Sequence, residues 1–221
     1  MRDNFYRRFG KRFFDVLMTL LLLPILVPAS LVVAVLVRID LGRPVFFRQP
    51  RPGLDGRIFV LSKFRTMTDL RTAAGRLAPD ARRISRLGAI LRRTSLDEIP
   101  EFWNVLTGKM SLVGPRPLLP EYLPRYSPRQ ARRHEVRPGI TGLAQVRGRN
   151  ALTWEEKLDY DVQYVDNLSF ALDVSILLAT CKVIISGDGI SAPDHATMPE
   201  FDGARPQGDT DSEADEQRGH P

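Results

Sequence analysis

The chain of 221 residues contains one cysteine, Cys181, and therefore neither an internal disulfide nor a cysteine-built metal site. It has no GxGxxG turn, Walker loop, zinc-ligand spacing or serine-triad signature, so any nucleotide is held in another way. No internal repeat is present. Charge is absent from Val16 to Val37 (VLMTLLLLPILVPASLVVAVLV). Acids are outnumbered by bases: the net charge is +6, and the last twenty residues hold six acids and two arginines, which leaves +10 on the rest. A basic body suits an anionic lipid surface, a phosphorylated ligand or nucleic acid. Its basic residues lie among prolines without interleaved exposed aromatics, which disfavours nucleic acid.

The uncharged stretch belongs in lipid. As one straight helix it measures roughly 33 Å, enough to cross a bilayer core. Yet Arg7, Arg8, Lys11 and Arg12 precede it and Arg38, Arg43, Arg48 and Arg51 follow it, which marks both ends as cytoplasmic. Pro24 and Pro28 each remove a backbone donor and can bend a helix. The expectation is a re-entrant helical hairpin dipping into one leaflet over residues 1–40; the alternative is a single kinked transmembrane helix. A basic stretch before an apolar one also resembles a signal peptide, but the run is long and Arg38 and Asp40 follow it without a small-residue cleavage site, so retention is expected.

Residues 41–201 form one domain in this reading, and 202–221 form a disordered acidic tail. The predicted fold class is α/β, mostly helical, with a short β-hairpin and amphipathic interface helices. PVFFRQ (44–49) and RIFVLSKF (57–64) flank a Pro-Gly-Leu-Asp-Gly turn and predict the hairpin. Residues 68–79 read as a mobile loop. DARRISRLGAILRR (80–93) places Ile84, Leu87, Ile90 and Leu91 on one stripe of a basic helix, suited to a headgroup layer or to packing on the core. SLDEIPEFWNVL (95–106) predicts a helix with Ile99, Phe102, Trp103 and Leu106 on one face and Asp97 at its start. Residues 110–128 and 136–150 read as irregular, with a short helix at 128–135 between them. Helices are predicted at 154–165 and 168–186, the latter interrupted only by Asp173 and Lys182. Cys181 reads as a small core residue.

The adjacent carboxylates Asp97 and Glu98, followed by Gly114-Pro115-Arg116-Pro117, are the constellation most suited to chemistry. One carboxylate can act as nucleophile and its neighbour as ligand to Mg²⁺, while an arginine stiffened by flanking prolines meets phosphate. The plain alternative is an N-cap at Asp97 and a capping box between Ser95 and Glu98. Arg65, Arg137, Arg147 and Arg149 can converge on a diphosphate or serve as surface charge. His134, among arginines, reads as solvated.

Taken in order, KRFFD (11–15), Pro28, GRPVFFRQ (42–49), RPG (51–53), KFRTM (63–67), SLDE (95–98), NVL (104–106), SLVGPRP (111–117) and RPGITG (137–142) resemble the bacterial sugar transferases, the monotopic phosphoglycosyl transferases of surface-glycan assembly. The resemblance covers about residues 11–200. EYLP (121–124) and GRNA (148–151) are similar to the minimal form that transfers diacetylbacillosamine phosphate. It implies that Asp97 attacks the β-phosphate of a UDP-sugar, that UMP leaves, and that undecaprenyl phosphate then takes the phosphosugar from the enzyme. It further implies Mg²⁺ at Glu98, phosphates at Arg116, a substrate site including Lys63, Arg65, Pro115, Arg137 and Arg149, and a bacterial inner membrane location on the cytoplasmic face. Val27 before Pro28, Lys109 and Leu143 depart from frequent serine, aspartate and tryptophan. A non-catalytic membrane adaptor that binds anionic lipid or a partner is the reading from another class. Nothing in the chain specifies an oligomeric state.

Overall fold

The computed structural model describes residues 5–72, 74–148, 152–186 and 201–203. After a π-helical turn, Tyr6–Gly10, helix α1 runs as one element from Lys11 to Asp40. It passes through Pro24 and Pro28 without separating into two helices, because each proline loses a donor but keeps a helical φ. Among the described residues this is the one helix long and apolar enough to cross a membrane, and only 11% of its most apolar stretch is buried.

The face that α1 turns inward repeats every three or four residues. Lys11, Asp15, Thr19, Val33 and Val37 are buried. Met18, Leu26, Ala29 and Ala34 are partly buried against core clusters, and Leu22 lines a cavity. The opposite face, from Phe13 through Leu17, Leu21, Ile25, Leu31 and Val35 to Ile39, is exposed. The rest of the fold therefore packs along one face of the helix.

Strands β1, Phe46–Pro52, and β2, Ile58–Phe64, form the expected hairpin, antiparallel in register Phe46↔Phe64 to Pro52↔Ile58, with the first strand running three residues past the expected 44–49. Alternation sends Phe59 and Leu61 inward, and Lys63 shares their parity. Among the described residues of 68–79 no regular element occurs beyond a bridge between Arg71 and Leu77.

The predicted basic helix is two: α2, Asp80–Arg83, and α3, Arg86–Thr94. Ile84 is extended and bridges Met67, and the Ser85 side chain caps α3 by accepting from the Gly88 N–H at 2.9 Å. Ile90 leaves the expected inner stripe and is exposed, while Gly88 takes an inner place. A Cβ at Gly88 would stand 2.0 Å from the Thr66 carbonyl oxygen, so only glycine permits this approach.

The predicted helix over 95–106 is also divided. Ser95 sits in the left-handed region (φ 57°) at the end of α3, a tight turn spans Leu96–Glu98, and α4 covers Glu101–Leu106. Trp103 faces out, and Glu101, Asn104 and Val105 face in.

Two stretches read as irregular contain a sheet. β3, Ser111–Val113, pairs in parallel with β4, Gly139–Thr141. Strands of three residues carry too little alternation to show in the sequence. Helices α5, Pro128–Ala131, and α6, Leu143–Arg147, are short; α7, Trp154–Asn167, starts on a Thr153–Glu156 capping box, and α8, Phe170–Ser186, follows. Cys181 is exposed on α8, not in the core, because Asp173 and Ile176 set the buried face.

Polar side chains hold α1 to the domain. Asp173 accepts from Lys11 Nζ, Tyr6 Oη and Tyr164 Oη, each at 2.7 Å. Asp15 accepts from Ser111 Oγ at 3.0 Å and the Leu112 N–H at 3.1 Å, and Arg12 donates to the Val105 and Leu106 carbonyls at the end of α4. At the other end of the chain, Phe201 packs among Tyr122, Tyr126 and Trp154. Arg149 and nearly all of the expected acidic tail lie outside the described residues.

Candidate active site

Asp97 is buried in the Leu96–Glu98 turn, and the strained φ of Ser95 is what directs the turn inward. Ser95 makes no side-chain cap bond, and Pro100 occupies the N-cap of α4. Neither carboxylate is therefore spent on capping.

Glu98 Oε1 accepts from Lys63 Nζ at 2.6 Å and Arg116 Nη2 at 2.8 Å. Lys63 also stands 3.0 Å from Glu101 Oε1, which accepts no hydrogen bond. Three carboxylates, Asp97, Glu98 and Glu101, thus share the neighbourhood of Lys63 and Arg116. Their protonation separates accordingly. Burial would raise Glu98, but the charges of Arg116 and Lys63 overcome it and bring its pKa down to about 2. Burial, then the Glu98 charge, raises Asp97 to about 6; burial raises Glu101 to about 7. Glu98 is a fixed anion, and Asp97 is ionised at neutral pH yet poorly solvated, the condition that suits a nucleophile.

Arg116 is held from both sides. The Pro115 carbonyl accepts from the Gly139 N–H at 3.0 Å, and the Arg116 carbonyl accepts from Arg133 Nη2 at 2.6 Å. Arg133 is itself buried and bound to Asp161 at 2.7 Å. The preceding Gly114 has no room for a side chain, since a Cβ would lie 2.4 Å from the Arg137 carbonyl oxygen. The Arg116 side chain, paired with Glu98, remains about half exposed.

Other predicted residues are placed elsewhere. Arg65 is engaged with the carbonyls of Leu41, Arg43 and Met67 and with Asp69, securing the chain where it leaves α1. Arg137 donates to the Gly108 carbonyl at 2.8 Å. His134 is half-buried rather than solvated, 3.3 Å from the Gly53 carbonyl, and burial with the Arg133 charge pushes it down to about 4, so it is neutral.

Two site residues escaped the sequence reading. Glu101 follows a proline on an apolar helix and carries no local mark of its partner Lys63. Arg92, on α3, donates to Thr66 Oγ1 at 3.0 Å, lines the same cavity as Glu98 and helps to keep Asp97 ionised. Its signal was the arginine-rich end of α3 directly before Ser95.

The cavity beside these groups measures about 610 Å³. Among the described residues no three His, Cys, Asp or Glu side chains converge as a metal-binding set.

If Asp97 must be ionised to react, turnover rises with pH and reaches half its plateau near pH 6. A pH–rate profile of kcat/KM with the acid limb near pH 4 would show that burial does not govern this group.

A family model described as bacterial sugar transferase matches residues 6–187. The chain is 50% identical over 194 residues to the uncharacterized sugar transferase EpsL of Bacillus subtilis (strain 168), covering 88% of this chain and 96% of that one. It is 39% identical over 199 residues to a UDP-galactose-lipid carrier transferase of Erwinia amylovora, covering 82% and 42%. It is 40% identical over 195 residues to a UDP-glucose:undecaprenyl-phosphate glucose-1-phosphate transferase of Xanthomonas campestris pv. campestris, covering 83% and 40%. The chain thus spans about two fifths of the latter two proteins.

Proposed function

Because the chain belongs to the bacterial sugar transferase family, we propose that this enzyme moves a sugar 1-phosphate from a UDP-sugar to undecaprenyl phosphate at the cytoplasmic face of the bacterial inner membrane. The observation that carries the reading is a buried Asp97 beside the anion Glu98 and the cations Lys63 and Arg116, with Glu98 and Arg116 also lining a cavity to which α1 and α8 contribute.

In the first step an oxygen of Asp97 attacks the β-phosphorus of the donor. The bond from that phosphorus to the oxygen bridging the α-phosphate breaks, and UMP leaves with that oxygen. In the second step an oxygen of undecaprenyl phosphate attacks the same phosphorus, the acyl-phosphate bond breaks and Asp97 is regenerated. Arg116 and Lys63 oppose the charge gathering on the phosphoryl oxygens. Glu98 would hold Mg²⁺, which neutralises phosphate charge when bound. The kinetic mark is ping-pong behaviour.

Helix α1 lies in one leaflet with both ends cytoplasmic. Support comes from its basic flanks and from the domain that accompanies its inner face, since a helix crossing the bilayer would have to leave that domain behind. Cysteines introduced at Phe5 and Val45, in a background with Cys181 replaced by serine, should both react with an impermeant maleimide from the cytoplasmic side. Labelling from opposite sides would establish a span instead.

A panel of UDP-sugars, including galactose, glucose, N-acetylgalactosamine and diacetylbacillosamine donors, with undecaprenyl phosphate and Mg²⁺ tests the function. One donor should release UMP and form lipid-linked product; an adaptor would release none.

A further inference from the structure

We propose that Phe201, beyond the last helix, is a positioning residue of the transfer reaction: seated in an aromatic socket, it sets the Arg116 loop and one wall of the cavity. This rests on the role proposed for Arg116 toward the donor phosphates.

The socket is assembled from separate parts of the chain. Tyr122 lies in a 3₁₀ turn, Pro120–Arg125, Tyr126 directly follows that turn, and Trp154 opens α7. The Phe201 ring stacks on Tyr126 with centroids 5.6 Å apart and planes at 30°, meets Tyr122 edge-on at 5.6 Å, and lies 5.4 Å from Trp154. Only 3% of Phe201 is exposed. Its backbone is fastened too. Arg125 donates to the Phe201 carbonyl while its guanidinium lies 5.5 Å from the Tyr122 ring centroid, and Gly203, at φ 116°, turns the chain against Arg125.

Two members of the socket serve the site. Tyr126 Oη accepts from Arg133 Nη1 at 3.1 Å, and the same guanidinium donates through Nη2 to the Arg116 carbonyl at 2.6 Å. Asp161 fixes Arg133 from another side. A buried guanidinium keeps one orientation only while its donors are satisfied, so the tilt of Tyr126 reaches the Arg116 backbone through a single group. Trp154 acts more directly. It lines the cavity with Glu98, Arg116 and Arg133, as does Lys157, whose ammonium lies 5.5 Å from the indole centroid. Phe201 itself does not line the cavity; it backs the residues that do.

The test uses the whole protein in bilayer nanodiscs, with Trp103→Phe leaving Trp154 as the only tryptophan and with UDP and Mg²⁺ as the probe. Phe201→Ala should shift Trp154 emission to longer wavelength, as water reaches the indole, and raise the UDP Kd about tenfold, the fold-change from losing one hydrogen bond of a charged group. Tyr126→Phe keeps the ring stack and removes the hydroxyl, so it should weaken UDP several-fold with the emission unchanged. Lost stability alone lowers the fraction of protein that binds, not the affinity of the folded remainder, so the Kd separates positioning from packing.

A UDP Kd within twofold of the parent protein, in either Phe201→Ala or Tyr126→Phe, overturns the inference. If Phe201→Ala does not fold, Phe201→Leu, which keeps an apolar side chain in the socket, takes its place with the same two outcomes. Failure of the parent protein to bind UDP refutes the proposed function, and the inference falls with it; the variants alone cannot give that result.

Discussion

Asp97→Asn lowers sugar-phosphate transfer by roughly 10⁴-fold or more, because the amide cannot form the acyl phosphate. The neighbouring Glu98 is tied to Lys63 and Arg116 through one oxygen and held as a weakly basic anion, so it does not substitute. Membrane association and folding survive. Intact-protein mass spectrometry of the wild type with its donor should show a phosphosugar adduct at residue 97 that the variant lacks. Turnover retained by the variant within tenfold would reassign the nucleophile, and the adaptor reading predicts no turnover to lose.

The same substitution carries a stability signature of opposite sign. The folded-state pKa of Asp97, about 6, lies above its ordinary 3.8. Between those values the folded protein keeps a proton that the unfolded chain has released, so stability falls as pH rises through this window and the deficit is complete above about pH 6. Its size is at most about 3 kcal/mol. Asparagine removes the ionisation, so the variant should melt higher than wild type at pH 7.5 and lose that advantage near pH 4. Equal melting temperatures at both pH values would mean that the carboxylate is solvated.

Asp173→Ala is the other substitution with a large expected effect, and it acts on assembly, not chemistry. Asp173 is fully buried and receives Lys11, Tyr6 and Tyr164, so its loss leaves the Lys11 ammonium buried with Asp15, 3.9 Å away, as its remaining carboxylate among the described residues. Breaking one side of such a pair costs about 3–5 kcal/mol, a large share of the roughly 5–15 kcal/mol that holds a domain together. For a chain of this size the melting temperature should drop by roughly 10 °C or more. The base of α1 should detach, making the 5–15 segment accessible to protease. Lys11→Met combined with Asp173→Leu should recover much of the loss, since replacing both charges removes the uncompensated one. A melting temperature within 2 °C of wild type for the single variant would show that α1 is held by apolar contacts alone.

How much of this was legible depends on the range of the interaction. The β-hairpin and α7 could be read because alternation, turn residues and capping residues act between neighbours. The division of the 80–106 segment could not. It depends on the Thr66 carbonyl pressing against Gly88 and on Ile84 bridging Met67, contacts from another part of the chain. The parallel pair β3 and β4 was hidden for a related reason: three residues show no period, and their partners are 28 positions away.

The candidate site divides in the same way. Asp97, Glu98 and Arg116 were recognisable as residue types in motifs, and Lys63 as part of another. That Lys63 bridges Glu98 and Glu101, that Arg65 and Arg137 are committed to backbone carbonyls, and that His134 is half-buried and neutral are matters of which side chains meet.

By itself the sequence determined the apolar segment and its basic flanks, since solvation of hydrocarbon and charge depends on composition alone. It also determined the chemical inventory of acids beside arginine. Only the tertiary structure decided that α1 runs unbroken with one face on a domain, that a lysine within it answers an aspartate 162 residues away, and that Asp97 is buried enough to hold its proton to about pH 6. Burial and ion pairing belong to groups brought together in space, and no local pattern encodes the distance between them.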